Sequence, residues 1–296
     1  MNYNNENHIK SKIKTSIIIR SYNEARYLSA CLSAVNNQCI DSEVEVILVD
    51  SGSTDKTIEI ARNYGCKIIE IQNKDFTYGY SLNVGISKAE GEYVVVISAH
   101  CVPADQFWLN SLISPLINGE ASLTFGSQQA DPNARCSEFN FFEKKYNSKV
   151  NSKLVMDRFN NGNSAFTKSI WIKRQFDEKI KAQEDVLFAR WHASEGSKII
   201  FVPNSIVIHY HNYNNHSLFK RLSLDSEVNS YLLVRNGALP EKKIRYMLGE
   251  IYNDIKLAFS RKVFIKALPG IFCFRIIELV AYINGEINKK NMEKIK

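Results

Sequence analysis

The first hundred residues alternate between short apolar runs and amphipathic stretches. "TSIIIR", "VEVILVD", "CKIIEI" and "YVVVIS" are Ile- and Val-rich runs of strand length, and between them 23–38, 54–63 and 78–89 carry a helical pattern. This βαβ rhythm predicts a parallel sheet, and strands with so little polar alternation predict helices on both of its faces. From about residue 105 the pattern is mixed. It predicts a helix through "QFWLNSLISPLI", a strand near "ASLTFGSQ", an aromatic helix through "FNFFEKKY" and a loop at "NNGNSAF". A helix at "EDVLFARWHASEG" and a strand "KIIFVP" follow, leading into "SIVIHYHNYNNH". Beyond His216 the pattern is helical, with Pro240 and Pro269 as expected breaks. Lys266, Arg275, Glu278 and Pro269 interrupt the apolar stretch 263–284, so a helix in the plane of a bilayer surface, or packed on the core, is expected rather than a span. The expected division is a polar tail over 1–13, an α/β domain over 14–215 and a helical region over 216–296.

Composition narrows the partners. The 296 residues are 45% hydrophobic and 23% charged, as in ordinary globular proteins. A net charge of +7 is spread over helix faces and both tails rather than gathered with aromatics, which argues against nucleic acid and for peripheral contact with anionic lipid. The N-terminus lacks the apolar stretch of a signal peptide, so a cytoplasmic place at the inner face of the cell membrane is expected. Six cysteines without CxxC spacing read as free thiols.

Ligands of parallel sheets bind beyond the carboxyl ends of the strands. The first strand delivers Arg20, Tyr22, Asn23 and Glu24 to that crevice, where amides and a helix N-terminus suit a nucleotide; Asn23 also reads as a helix N-cap. The absence of GxGxxG after this strand excludes a dinucleotide-binding oxidoreductase. Asp50 ends the second strand, beside Ser51 and Gly52, where a carboxylate could accept the N3 hydrogen of uracil or thymine; Thr54 and Asp55 read as caps. Asp75 follows the third strand. Gly79, Asn83 and Gly85 lie along the next helix, and glycine there costs about 1 kcal/mol relative to alanine, which predicts a close neighbour or ligand. The fourth strand ends at Ser98, Ala99 and His100.

"SIIIRSYNE", "VDSGSTDKT", "GYSLNVGISKAEGEYVVVISAHCVP" and "QEDVLFARW", in register over about residues 14–215, resemble the inverting glycosyltransferases of family 2. Arg20, in place of that family's common proline, resembles a subgroup of rhamnosyltransferases of bacterial surface polysaccharides. The resemblance implies an α/β GT-A fold, a mostly parallel central sheet flanked by helices, with a C-terminal helical extension. It implies transfer of a sugar from a UDP- or dTDP-sugar to a hydroxyl of a glycan or lipid-linked acceptor, in capsule or O-antigen synthesis. Nucleotide contacts are implied at Arg20, Tyr22, Glu24, Asp50, Ser51, Asp75 and Asn83, and sugar contacts at Ser98, Gln128, Asn163 and Ser164. Asp185 matches the base that takes the acceptor's proton, with Glu184 beside it. Mutual repulsion would raise the pKa of one of the two; alternatively both merely favour the helix dipole.

The departure from the family lies at its Asp-x-Asp motif, replaced here by Ser98-Ala99-His100. His209 matches a C-terminal metal-binding histidine, and alternation puts His211 on its face. Imidazole ligands at His100, His209 and His211 favour manganese over oxygen-seeking magnesium. In a metal-independent alternative, Arg20 and protonated His100 face the diphosphate directly. A buried His100 satisfied by backbone, and a solvated histidine cluster, are the bland readings. The rival function is a catalytically inactive GT-A-fold binding or scaffold subunit.

Overall fold

The computed structural model describes residues 15–146, 155–211, 214–232 and 240–293. The expected polar tail over 1–13 lies outside them. The first half follows the sequence pattern: β1 (Thr15–Ser21), α1 (Ala25–Asn36), β2 (Val44–Asp50), α2 (Thr57–Asn63), β3 (Lys67–Glu70), α3 (Tyr78–Ser87) and β4 (Tyr93–Ser98). Next come β5 (Cys101–Pro103), α4 (Trp108–Ile117), β6 (Leu123–Ala130), α5 (Cys136–Lys145), β7 (Asn163–Thr167) and α6 (Lys168–Lys173). The remainder is α7 (Glu184–Ser194), β8 (Ile199–His209), α8 (Asn215–Leu232), α9 (Pro240–Ser260) and α10 (Phe264–Glu293).

One curled sheet of eight strands runs β3-β2-β1-β4-β7-β6-β8-β5. The β3-β2-β1-β4 half is parallel, as the βαβ rhythm requires. Consecutive residues of β1 serve opposite faces. Ile17 and Ile19 pack with Leu28, Leu32, Trp108 and Leu112 from α1 and α4, while Ile18 packs with Leu82, Ile86, Phe166 and Phe188. This two-sided burial explains strands that are apolar throughout. β7 and β5 are the antiparallel members, β7 against β4 and β6, β5 against β8.

Two sequence expectations are corrected. "NNGNSAF" is not a loop throughout, because Asn163–Thr167 forms β7 between β4 and β6. Nor does Pro269 break the last helix: α10 runs through it. Proline there forgoes only the bond to the Ile265 carbonyl, and both residues are exposed, so water can take that oxygen. Pro240, by contrast, opens α9, where a missing N–H costs nothing. Among the described residues no helix is long and apolar enough to cross a membrane.

The helical glycine at position 85 has a packing cause. A Cβ there would lie 2.8 Å from Val49 Cγ2 and 2.9 Å from Ile18 Cγ2, so α3 sits directly on β1 and β2. Gly85→Ala is therefore expected to lower stability by about 1–3 kcal/mol through overpacking. Denaturant unfolding checks this, and an unchanged midpoint would contradict so close an approach.

Candidate functional site

Two loops at the strand ends are stitched together by each other's caps. Asn23 has φ 54°, a left-handed conformation that asparagine tolerates, and its Oδ1 accepts the Thr54 amide at 2.8 Å. In return Ser53 Oγ accepts the Asn23 amide, Thr57 Oγ1 the Glu24 amide and Asp55 Oδ2 the Ala25 amide. Asn23 thus caps across to the α2 loop, and Glu24 holds the N-cap position of α1. Burial pushes the Asp55 carboxyl up, but hydrogen bonds from Thr57 and Ala25 outweigh it and hold the group below its usual range.

Asp50 lies beneath this knot, wholly buried. Its carboxylate accepts from the Gly52 amide (3.0 Å), the Ser53 amide (2.8 Å), the Ser53 hydroxyl (2.5 Å) and the Ser21 hydroxyl (2.8 Å). Those bonds occupy about as many acceptor positions as a carboxylate offers, so the structure shows Asp50 turned to its own loop. It fixes the shape of the loop between β2 and α2. Ser51 is buried as well, pinned to the Ser21 carbonyl.

Four more expected contacts turn inward. Asn83 accepts from Trp171 Nε1 and the Phe176 amide, and donates to the Phe176 carbonyl and Glu178, so it holds the segment after α6. Asn163 donates to the carbonyls of Ser127 and Ser205, each at 2.9 Å, and accepts from Trp108 Nε1. Those carbonyls flank the register shift between β6 and β8 after Gly126, where the ladder leaves acceptors open. Ser164 is fully buried and donates to Asn161. Gln128 is bracketed between Asn160 and His209. All four are buried. Asp75 stands exposed in a 3-10 turn, and Tyr22 is 51% exposed at the mouth.

The other expected residues do meet. Antiparallel pairing sets Cys101 opposite His209, which brings the β4–β5 turn to the end of β8. The ring centroids of His100 and His209 lie 5.0 Å apart, His209 and His211 4.2 Å, His100 and His211 6.4 Å. His100 is part-exposed and bonded through Nδ1 to Glu24 Oε1 at 2.8 Å, not to backbone. His209 Nδ1 donates to Gln128 Oε1 at 2.7 Å, while its buried Nε2 has no hydrogen-bond partner. Burial first, then the neighbouring histidines, push His209 well down; burial and His100 push His211 down to about 3. Both are neutral imidazoles at ordinary pH. Glu24, Gln128 and their histidines form the supporting pairs usual around a metal-binding imidazole.

The acidic pair stands at the start of α7. Gln183, at φ 64°, turns the chain sharply into α7. Glu184 is buried, 3.4 Å from Arg20 Nη1. Burial, then the Asp185 charge, raise its pKa, and Arg20 opposes them. Asp185 is half-buried and accepts the Asn161 amide at 3.2 Å. Ser98 sits beside Arg20 in register. Residues that the sequence did not single out complete the wall. Asn161 donates to Glu184; the Tyr78 ring carries Arg20 at 4.8 Å and Arg221 at 5.4 Å; and the Arg221 guanidinium donates to the Tyr78 hydroxyl. Burial pushes the Lys145 amine down, while Asp185 and Asp225 pull it back up. Arg221 and Lys145 arrive from α8 and α5, far along the chain, so no local motif announced them. A cavity of about 320 Å³ among Arg174, Asp177, Arg190 and Trp191 reaches Glu184 but no histidine, and so is not the centre of this arrangement.

Known proteins resemble the chain in sequence and in fold. The sequence model described as "Glycosyl transferase family 2" matches residues 16–191. The chain is 26% identical over 224 residues to the O-antigen chain rhamnosyltransferase RfbN of Salmonella typhimurium, spanning 71% of this chain and 70% of that protein. Among solved structures it is similar to the mannosyltransferase PcManGT of Pyrobaculum calidifontis, in complex with GDP-Man and Mn2+, with a TM-score of 0.63 and 16% identity over 95% of this chain and 88% of that one. Staphylococcus aureus TarS 1–349 gives 0.57 and 16%, over 96% and 92%. These likenesses establish the GT-A fold.

The base of α7 generates a pH prediction. His192 is fully buried against Phe188 and Trp191, and burial lowers its pKa to about 4. Between pH 6.5 and about 4 the unfolded chain binds a proton that the native state refuses, so stability falls as pH drops through this window. His192→Phe should show a smaller loss between pH 7 and pH 5 in urea unfolding. Parallel curves for the two proteins would remove His192 as a source of acid sensitivity.

Proposed function

Because the chain belongs to glycosyl transferase family 2, we propose that this glycosyltransferase passes a deoxyhexosyl or hexosyl group from a UDP- or dTDP-sugar to a hydroxyl of a glycan or lipid-linked acceptor, with inversion, in polysaccharide biosynthesis. The observation that carries this reading is the joining of Arg20, at the nucleotide-side strand end, to Glu184 beside Asp185. That contact supports a single site in which the leaving group would lie near the base.

Asp185 takes the proton of the acceptor hydroxyl as that oxygen attacks the anomeric carbon, and the nucleoside diphosphate departs from the opposite face. A single displacement inverts the centre. Glu184, its pKa raised by burial, serves best as a hydrogen-bonding partner of the acceptor rather than as the base. Arg20, with Lys145 and Arg221 near it, supplies positive charge where negative charge grows on the diphosphate.

A divalent ion is part of the proposal. Among the described residues no three His, Cys, Asp or Glu side chains are disposed to hold a metal ion unaided. The unpartnered Nε2 of His209 and the neutral His211 nevertheless fit one whose remaining ligands come from the donor's diphosphate, and nitrogen donors suit manganese better than magnesium. Such an ion, held by His209 with His211 or His100, would neutralise phosphate charge.

Thermal shift against a panel of nucleotide sugars, with and without manganese, tests donor binding, since a bound donor stabilises the native state. A shift with a UDP- or dTDP-sugar is expected, and a flat panel would sink the reading. Asp185→Asn should cut transfer by roughly 10²–10⁴-fold while leaving the donor shift in place. Undiminished turnover would take the base role from Asp185.

A further inference from the structure

The last two helices bury a charged cluster among apolar residues on their covered side, and their open side is largely apolar. Arg275, Asp254 and Glu250 are buried together, with Arg275 2.8 Å from Asp254 and 3.6 Å from Glu250. Ile265, Phe272, Ile276, Val280, Ile283 and Ile287 of α10 are 46–84% exposed. Their steps of seven, four, four, three and four residues put them on one side of the helix, a stripe about 33 Å long. Leu248, Tyr252 and Phe259 add exposed apolar surface on α9.

The charges on this surface have one sign. Over 244–288 the exposed charged side chains are Arg245, Lys256, Lys262 and Lys266, with Arg261, whose guanidinium donates to the Pro132 carbonyl and lies over the Phe139 ring. Every carboxylate of the same stretch (Glu250, Asp254, Glu278 and Glu286) is buried or half-buried, and Arg275 engages the first three. We propose that the exposed face of α9 and α10 docks on an anionic lipid bilayer, the apolar stripe lying in the headgroup boundary and the cations meeting lipid phosphates. Neither helix is apolar enough to span, so the contact is in the plane of the surface.

A second copy of the chain fits less well. A two-fold interface sets the same patch against itself, and here that would oppose cations to cations with no exposed carboxylate among the described residues of 244–288 to relieve them. The helical layer also reaches the crevice: α10 packs along α8, whose Arg221 bonds to Tyr78. Docking stands by itself, whereas its use, presenting a lipid-linked acceptor to Asp185, rests on the transferase reading.

Co-sedimentation of the full chain with phosphatidylcholine vesicles, and with vesicles of equal parts phosphatidylcholine and phosphatidylglycerol, tests the surface. Binding should be at least about tenfold stronger to the anionic vesicles and should weaken with salt. Ile276→Glu with Val280→Glu, both at exposed positions, should reduce it at least about tenfold. Lys262→Glu with Lys266→Glu, at the α9–α10 turn, provides a second variant should the first fail to fold. Binding to neither vesicle type would overturn the proposal. So would a solution dimer that the first pair of substitutions dissolves while vesicle binding is unchanged. The donor thermal shift, measured on the same variants, separates the two readings: its absence beside intact vesicle binding counts against transfer and not against docking.

Discussion

The ion pair between Arg20 and Glu184 is the contact on which the site depends. It joins the end of β1 to the start of α7 across 164 positions of sequence, with the two side chains 15% and 6% exposed. A lone charge at such depth would be costly, and removing one partner of a buried pair typically destabilises by about 3–5 kcal/mol. The pair therefore fixes the distance between the end of β1 and the acidic start of α7. Tyr78 reinforces it from the side, its ring under Arg20 and its hydroxyl bonded to Arg221.

Around that contact, buried polar groups act as scaffolding rather than as ligand contacts. Asp50 shapes the loop, Asn163 closes the bulge between β6 and β8, Asn83 holds the approach to α7, and Gln128 aims His209. Each is a buried side chain whose polar atoms are held by other residues of the protein. Their satisfied bonds rigidify the crevice wall, and pre-organised walls are what electrostatic stabilisation of a departing diphosphate requires.

The βαβ half of the fold was legible because continuous Ile and Val runs can be buried only between two helical layers. His209 and His211 were legible together because the two-residue period of β8 carries on past its end at His209, and His100 because it lies two residues beyond the end of a central strand. The inward turn of Asn83, Gln128, Asn163 and Ser164 was not. A polar residue in a polar-looking stretch gives no sign of its direction until the partner carbonyls are placed, and for Asn163 those belong to β6 and β8. Lys145 and Arg221 were hidden for the same reason, since their relevance comes from helix packing. Pro269 misled because its cost depends on exposure, which the chain alone does not reveal.

The most direct trial of the central claim is a crystal structure of the chain with a UDP- or dTDP-sugar and manganese. The account predicts the diphosphate between Arg20 and the His100–His209–His211 group, with the anomeric carbon turned toward Asp185. A nucleotide sugar lodged elsewhere, for instance in the cavity between Arg174 and Trp191 with the histidines untouched, would contradict it.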